Sequence, residues 1–126
     1  MKICITNKQI WKYSNLLNEA FSEGKNAIFP IKLAYIIEFN KSVLYQKYEL
    51  IERSRMAVGK KYGVLDENNE GYKISSENLE KAEKELEQLF EIEQMVDIMK
   101  IPLKDLENCD ISLKQMEALL FMIEEE

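Results

Sequence analysis

Apolar positions recur at helical spacing along most of this chain, with two short stretches of different rhythm. Lys2 to Ile5 alternates polar and apolar, the pattern of a short strand, and leads into Thr6-x-x-Gln9, a capping box that opens a helix. Ile10, Tyr13, Leu17 and Ala20/Phe21 then mark one face of a first helix through about Glu23, and Trp11 can extend that face. "EGKN" supplies the stop, with Gly24 free to turn left-handed. "IFPIK" restarts the chain, because Pro30 is tolerated in a first helical turn, and neither Gly nor Pro interrupts Ile31 to Val58. Along this long second helix the apolar pairs Ile36/Ile37, Val43/Leu44, Leu50/Ile51 and Ala57/Val58 repeat every seven residues, the period of lengthwise packing on another helix. Tyr62 and Gly63 close it, with Lys60 and Lys61 placed against the helix dipole.

"DENNEG" reads as a turn, forming a small hairpin with "YKI", before Ser75 or Ser76 caps a third helix with Leu79, Ala82, Leu86 and Leu89/Phe90 on one face. That helix is expected to pack antiparallel to the second. Met95 to Ile101 is rich in apolar and β-branched residues and reads as a strand pairing with residues 2 to 5. Ser112-x-x-Gln115 is a second capping box, opening the helix "LKQMEALLFMI". Its Ala118 to Ile123 stretch is apolar on nearly every side, which predicts burial in the core or against another subunit. The expected fold is α+β, mainly α: a long antiparallel helical hairpin, two further helices and a small two-stranded sheet, in a single domain over residues 1–126.

Composition narrows the class. The 126 residues, 46% hydrophobic with four Gly and two Pro, describe a folded, largely helical chain. A formal charge of −6 argues against a duplex nucleic-acid binder, but it hides an asymmetry. Residues 1–63 carry eleven Lys/Arg and five Asp/Glu; residues 64–126 carry six and eighteen. Such a split can be neutralised inside one fold or between copies of it, because opposite potentials steer surfaces together, and a homo-oligomer is the partner expected. Cys4 and Cys109 form no CxxC pair, and the start "MKICITNKQIW" has no long apolar core. No run approaches the roughly 18 apolar residues of a membrane span. A soluble protein of a reducing cytoplasm is expected, with no membrane partner.

Most chemistry is disfavoured. The chain has no histidine, which removes the commonest general base and the usual zinc ligands. "GKKYG" lacks Walker spacing and no GxGxxG occurs. "DENNEGYKISSE" sets Asp66, Asn68, Glu70, Gly71 and Glu77 at positions 1, 3, 5, 6 and 12 of a calcium loop. Position 5 is longer than usual, Lys73 stands where an apolar residue belongs, and no second loop exists, so a solvated turn is the expectation. Glu85/Glu87 and Glu124 to Glu126 read as solvated faces and a charged tail. No enzyme activity, cofactor or metal is expected.

One constellation suggests binding. Lys41, Tyr48, Arg55 and Tyr62 fall seven apart, in a stripe about 40° from the Ile37, Leu44, Ile51, Val58 core stripe. Arg53 and Lys60 form a more exposed row. Guanidinium suits phosphate and tyrosine stacks on a base, so Lys41, Tyr45, Tyr48, Arg53, Arg55, Lys60, Lys61 and Tyr62 are candidate residues for an anionic, nucleotide-sized ligand. The competing reading pairs these cations with the glutamates of the third helix and uses the tyrosines to seal the core.

The segments "ITNKQIWKYSNLLNEAF", "FPIKLAYII", "KKYGVLDENNEGYKI" and "QMEALLFMIEEE" together resemble a family of short uncharacterised proteins of phages and prophages of Gram-positive bacteria. The likeness covers nearly the whole chain and brings no catalytic or binding residues with it. It implies a non-enzymatic inhibitor of host defence in the host cytoplasm, either a homo-oligomer sequestering a negatively charged nucleotide signal or a protein binding a host protein directly. A phage assembly or tail accessory protein is the structural alternative.

Overall fold

The computed structural model describes residues 1–22, 29–65 and 72–124. Strand β1 (Lys2–Thr6) runs directly into helix α1 (Asn7–Ala20) through the expected capping box. Thr6 Oγ1 accepts the Gln9 N–H at 3.2 Å, and Gln9 Oε1 accepts the Thr6 N–H at 2.9 Å. The helix ends at Ala20, short of Glu23, because Phe21 leaves helical geometry and turns its ring into the core. The expected stop at Gly24 lies outside the described residues.

Helix α2 (Ile31–Tyr62) is about 48 Å long. Pro30 stands at its N-cap and offers no side-chain cap. Its buried stripe is Leu33, Ile36, Ile37, Asn40, Leu44 and Ile51, so the seven-residue pairs are only half right. Leu50 is 60% exposed and Ala57 is also exposed. A straight helix falls back about 20° per heptad, which carries the first member of each pair outward, while Ile37, Leu44 and Ile51 stay buried and Val58 is half-buried.

Beyond α2 the expected hairpin is present as β2 (Gly63–Leu65) and β3 (Tyr72–Ile74), with Gly63 opposite Ile74. A Cβ on Gly63 would sit 2.7 Å from the Lys73 carbonyl and 2.8 Å from that of Gly59, so the close approach of β3 requires glycine. Asp66, Asn68, Glu70 and Gly71 of the calcium-like loop lie outside the described residues. Helix α3 (Ser76–Glu91) follows Ser75, whose side chain makes no capping bond. It returns antiparallel along α2: Asn78 Nδ2 donates to the Tyr62 carbonyl at 3.2 Å near one end, while Phe90 at the other reaches α1. Ala82 is buried and Leu86, Leu89 and Phe90 are half-buried. Leu79, expected on the packed face, is exposed, because only the second half of α3 reaches α1.

Strand β4 (Glu93–Asp97) pairs antiparallel with β1, Lys2 opposite Asp97 and Thr6 opposite Glu93. The pairing is the expected one, but the strand is not Met95 to Ile101. Backbone bonding to the β1 segment continues as far as Ile98, whose N–H donates to the Met1 carbonyl at 2.9 Å. Met99 instead gives its backbone groups to the Asn40 side chain, Asn40 Nδ2 donating to the Met99 carbonyl at 2.9 Å and Oδ1 accepting its N–H at 2.8 Å. Ile101–Pro102 instead form β5, leading into a 3-10 turn, Leu103–Leu106. The second capping box, Ser112 with Gln115, opens α4 (Leu113–Leu119). The helix expected to continue to Ile123 tightens into a 3-10 turn at Leu120–Met122, then becomes β6 (Ile123–Glu124), parallel to β5. The tighter turn drives Met122 against Asn40 and sets Ile123 opposite Ile101.

The core joins Ile10, Leu17 and Phe21 of the first segment to Ile37, Leu44 and Ile51 of α2, and to Val96, Ile98, Ile101, Leu119 and Met122. The architecture is α+β and mainly α, with the long helical hairpin, two further helices and three two-stranded sheets among the described residues. Within those residues no helix is long and apolar enough to cross a membrane.

Candidate functional site

The candidate residues of α2 separate into three groups. Lys41 is drawn away from the others: its Nζ donates to the Phe21 carbonyl at 2.8 Å and lies 3.7 Å from Glu38. A cation there completes the carbonyl end of α1. Lys61 and Tyr62 lie at the far end, where Lys61 Nζ meets Glu85 Oε1 of α3 at 2.8 Å and stands 5.1 Å from the Tyr62 ring centre. The bond to Glu85 raises the Lys61 pKa, and the bond from Lys61 lowers that of Glu85. The structure does not gather the eight residues into one pocket.

The central group is built around Trp11, which the sequence suggested only as an extension of a buried face. Its ring stacks on Tyr48 at 4.7 Å, Phe90 of α3 meets it edge-on at 5.8 Å, and Tyr45 stacks on Tyr48 at 6.1 Å. One aromatic row therefore crosses α2, α1 and α3. Arg55 sits 5.5 Å above the Trp11 ring centre, close enough for a cation–π contact. Its guanidinium is held by Glu52 on the same helix, Nη2 to Oε1 at 2.7 Å and Nε to Oε2 at 3.3 Å. The Glu52 hydrogen bond raises the Arg55 pKa, while burial raises that of the Tyr48 hydroxyl. Of the α2 cations expected to meet third-helix glutamates, Lys61 alone does so among the described residues. Arg55 takes Glu52 because three residues along a helix bring the pair together.

Beside the aromatic row, a groove of about 370 Å³ opens along α2, lined by Tyr45, Tyr48, Glu49, Glu52, Arg53 and Met56. Tyr45 is 48% exposed and offers a stacking face. Arg53, and Lys60 two turns on, make no ion pair among the described residues. Glu49, Glu52 and Met56 were not foreseen as groove residues; their spacing from Tyr45 on one helix was the available signal. A second recess, about 510 Å³, lies between α1 and α3 and is lined by Lys8, Trp11, Glu87, Phe90 and Glu91.

The arrangement can stack a planar group and pair with one negative charge. No group of three Cys, Asp or Glu among the described residues is placed to hold a metal ion. Cys4 and Cys109 are free thiols. Compared with protein-family models, with curated proteins and with solved structures, the chain gives no match.

Proposed function

We propose that the protein is a non-enzymatic, phage-encoded inhibitor of bacterial host defence that sequesters a small, planar, negatively charged nucleotide on the α2 groove. The observation that carries this reading is Arg53, whose side chain has no ion-pair partner among the described residues, in a groove beside the exposed Tyr45 ring. The groove's volume lies within the range of small-ligand sites, about 300–1,000 Å³. A base stacks on Tyr45, and the phosphates turn away from Glu49 toward Arg53 and Lys60. Arg55 orients Trp11 and Tyr48 and is already neutralised by Glu52, so it supports the stacking surface instead of meeting the ligand. The phage setting rests on the sequence resemblance described above.

A second reading, direct binding of a host protein, is favoured by the openness of the groove and by the exposed Tyr45, Leu50 and Met56 on the same helix. Tyr, Met and Arg are enriched in protein interfaces. One experiment separates the two. Purified protein is incubated with cyclic and ADP-ribose-type nucleotides, freed of unbound ligand and heat-denatured, and the released material is analysed. Intact nucleotide from wild type, lost in Arg53→Ala and Tyr45→Ala, supports sequestration. No retained nucleotide refutes it and turns the search to protein partners, and a chemically altered nucleotide refutes the non-enzymatic assignment.

A further inference from the structure

The apolar segment near the C-terminus is only half covered. Ala118, Leu119 and Met122 are buried, but Leu113 is 87% and Leu120 62% exposed. Leu113, Glu117 and Leu120 succeed one another at spacings of four and three, which puts them on one outward face of α4 and its 3-10 extension. This face continues onto α1 through a cleft of about 390 Å³ lined by Lys12, Tyr13, Leu16, Glu117, Leu120 and Phe121. The cleft is firmly built, since Tyr13 and Phe121 stack at 4.2 Å with planes 5° apart. At its rim stand one cation, Lys12, and one carboxylate, Glu117. Neither makes an ion pair among the described residues, whereas nearby Lys114 is paired with Glu19 at 3.6 Å.

We infer that this α1–α4 face is a two-fold interface that binds a second copy of the same chain. An interface across a two-fold axis must be self-complementary: where residue i meets residue j of the partner, j meets i. An apolar centre with one positive and one negative rim group satisfies that condition. Leu16 and Leu120 meet their equivalents near the axis, and Lys12 of each copy faces Glu117 of the other. A specific interface needs about 800 Å² per partner, so the exposed side of α1 joins α4 in the contact. The assignment is independent of the nucleotide reading. The groove on α2 is lined by none of these residues and stays open in both copies.

Sedimentation equilibrium on the full chain over a wide concentration range tests the interface, with circular dichroism to confirm folding of each variant. Wild type is expected to dimerise. Lys12→Glu alone and Glu117→Lys alone each set like charges against one another at two symmetry-related places, raising the dissociation constant roughly tenfold or more. An equimolar mixture of those two variants restores every opposite-charge contact and recovers a heterodimer, as does the double variant K12E/E117K on its own. Leu120→Ser, at an exposed position, abolishes association without loss of fold. A wild type that stays monomeric overturns the inference, and so does a dimer insensitive to both reversals or a mixture that fails to recover.

Discussion

Asn40 is fully buried, and its amide makes two complementary bonds with the backbone of Met99, with the sulfur of Met122 3.2 Å from Nδ2. It ties the middle of α2 to the segment between β4 and β5. Replacing Asn40 with Ala removes two hydrogen bonds, each about 0.5–1.5 kcal/mol, and strands one backbone donor and one acceptor at about 1–3 kcal/mol each if no water reaches them. Met99 is partly exposed, which lets water recover some of that loss, so the expected destabilisation is about 3 kcal/mol. With a urea m-value of about 2 kcal/mol/M, the unfolding midpoint falls by about 1.5 M. Asn40→Leu separates the lost bonds from lost volume: it fills the space yet leaves Met99 unpaired, and it is expected to be nearly as damaging as Ala. Asn40→Asp accepts from the Met99 N–H but sets a carboxylate against the Met99 carbonyl. That acid's pKa is raised in the folded state, so its destabilisation is full at neutral pH and shrinks as pH falls and the protonated carboxyl regains a donor. A midpoint shift below about 0.3 M for Ala would refute this reasoning, as would a Leu variant as stable as wild type.

The Lys61–Glu85 pair gives a pH signature. Glu85 has a lowered pKa, so its stabilisation is present above the ordinary value of 4.5 and is lost as pH falls through the folded value. Lys61 has a raised pKa, and its contribution is present below 10.5 and is lost as pH rises through the folded value. Thermal melts of Glu85→Gln and wild type should therefore converge in acid and separate at neutral pH; parallel curves would contradict the pairing. Tyr48→Ala removes the ring stacked on the only tryptophan, so Trp11 emission should move to the red and stability fall by about 2–4 kcal/mol, and an unchanged spectrum would argue against the stack. Gly63→Ala forces a Cβ against two carbonyl oxygens and should cost about 1–3 kcal/mol by urea denaturation, whereas a neutral effect would mean β3 does not approach so closely.

Local signals carried over well where one short stretch supplies both halves of an interaction. Thr6 with Gln9 and Ser112 with Gln115 are complete capping boxes, and both form. The uninterrupted run after Pro30 is one helix of 32 residues. Strand boundaries were harder to read, because the backbone that follows β4 is taken up by Asn40, which is 59 residues away from Met99. The end of α4 likewise depends on Ile101 being available to pair with Ile123. The candidate site was legible only as a collection of residue types on α2. Its central ring, Trp11, belongs to another helix.

The sequence by itself determined that the chain is helical with a long central helix, where its capped helices begin, and that cations and tyrosines edge the packed face of α2. Those features follow from periodicity and hydrogen bonds within a few residues. Tertiary structure decided how the candidate cations beyond local reach are used: Lys41 bonds the Phe21 carbonyl and Lys61 meets Glu85, whereas Arg55 takes Glu52 of its own helix and Arg53 and Lys60 make no ion pair among the described residues. It also decided that Trp11 and Tyr48 stack and that Leu120 faces outward while Leu119 is buried. The physical reason is that a charge or a ring acquires its partner from whichever helix lies beside it, and that neighbour is chosen by the packing of the whole core.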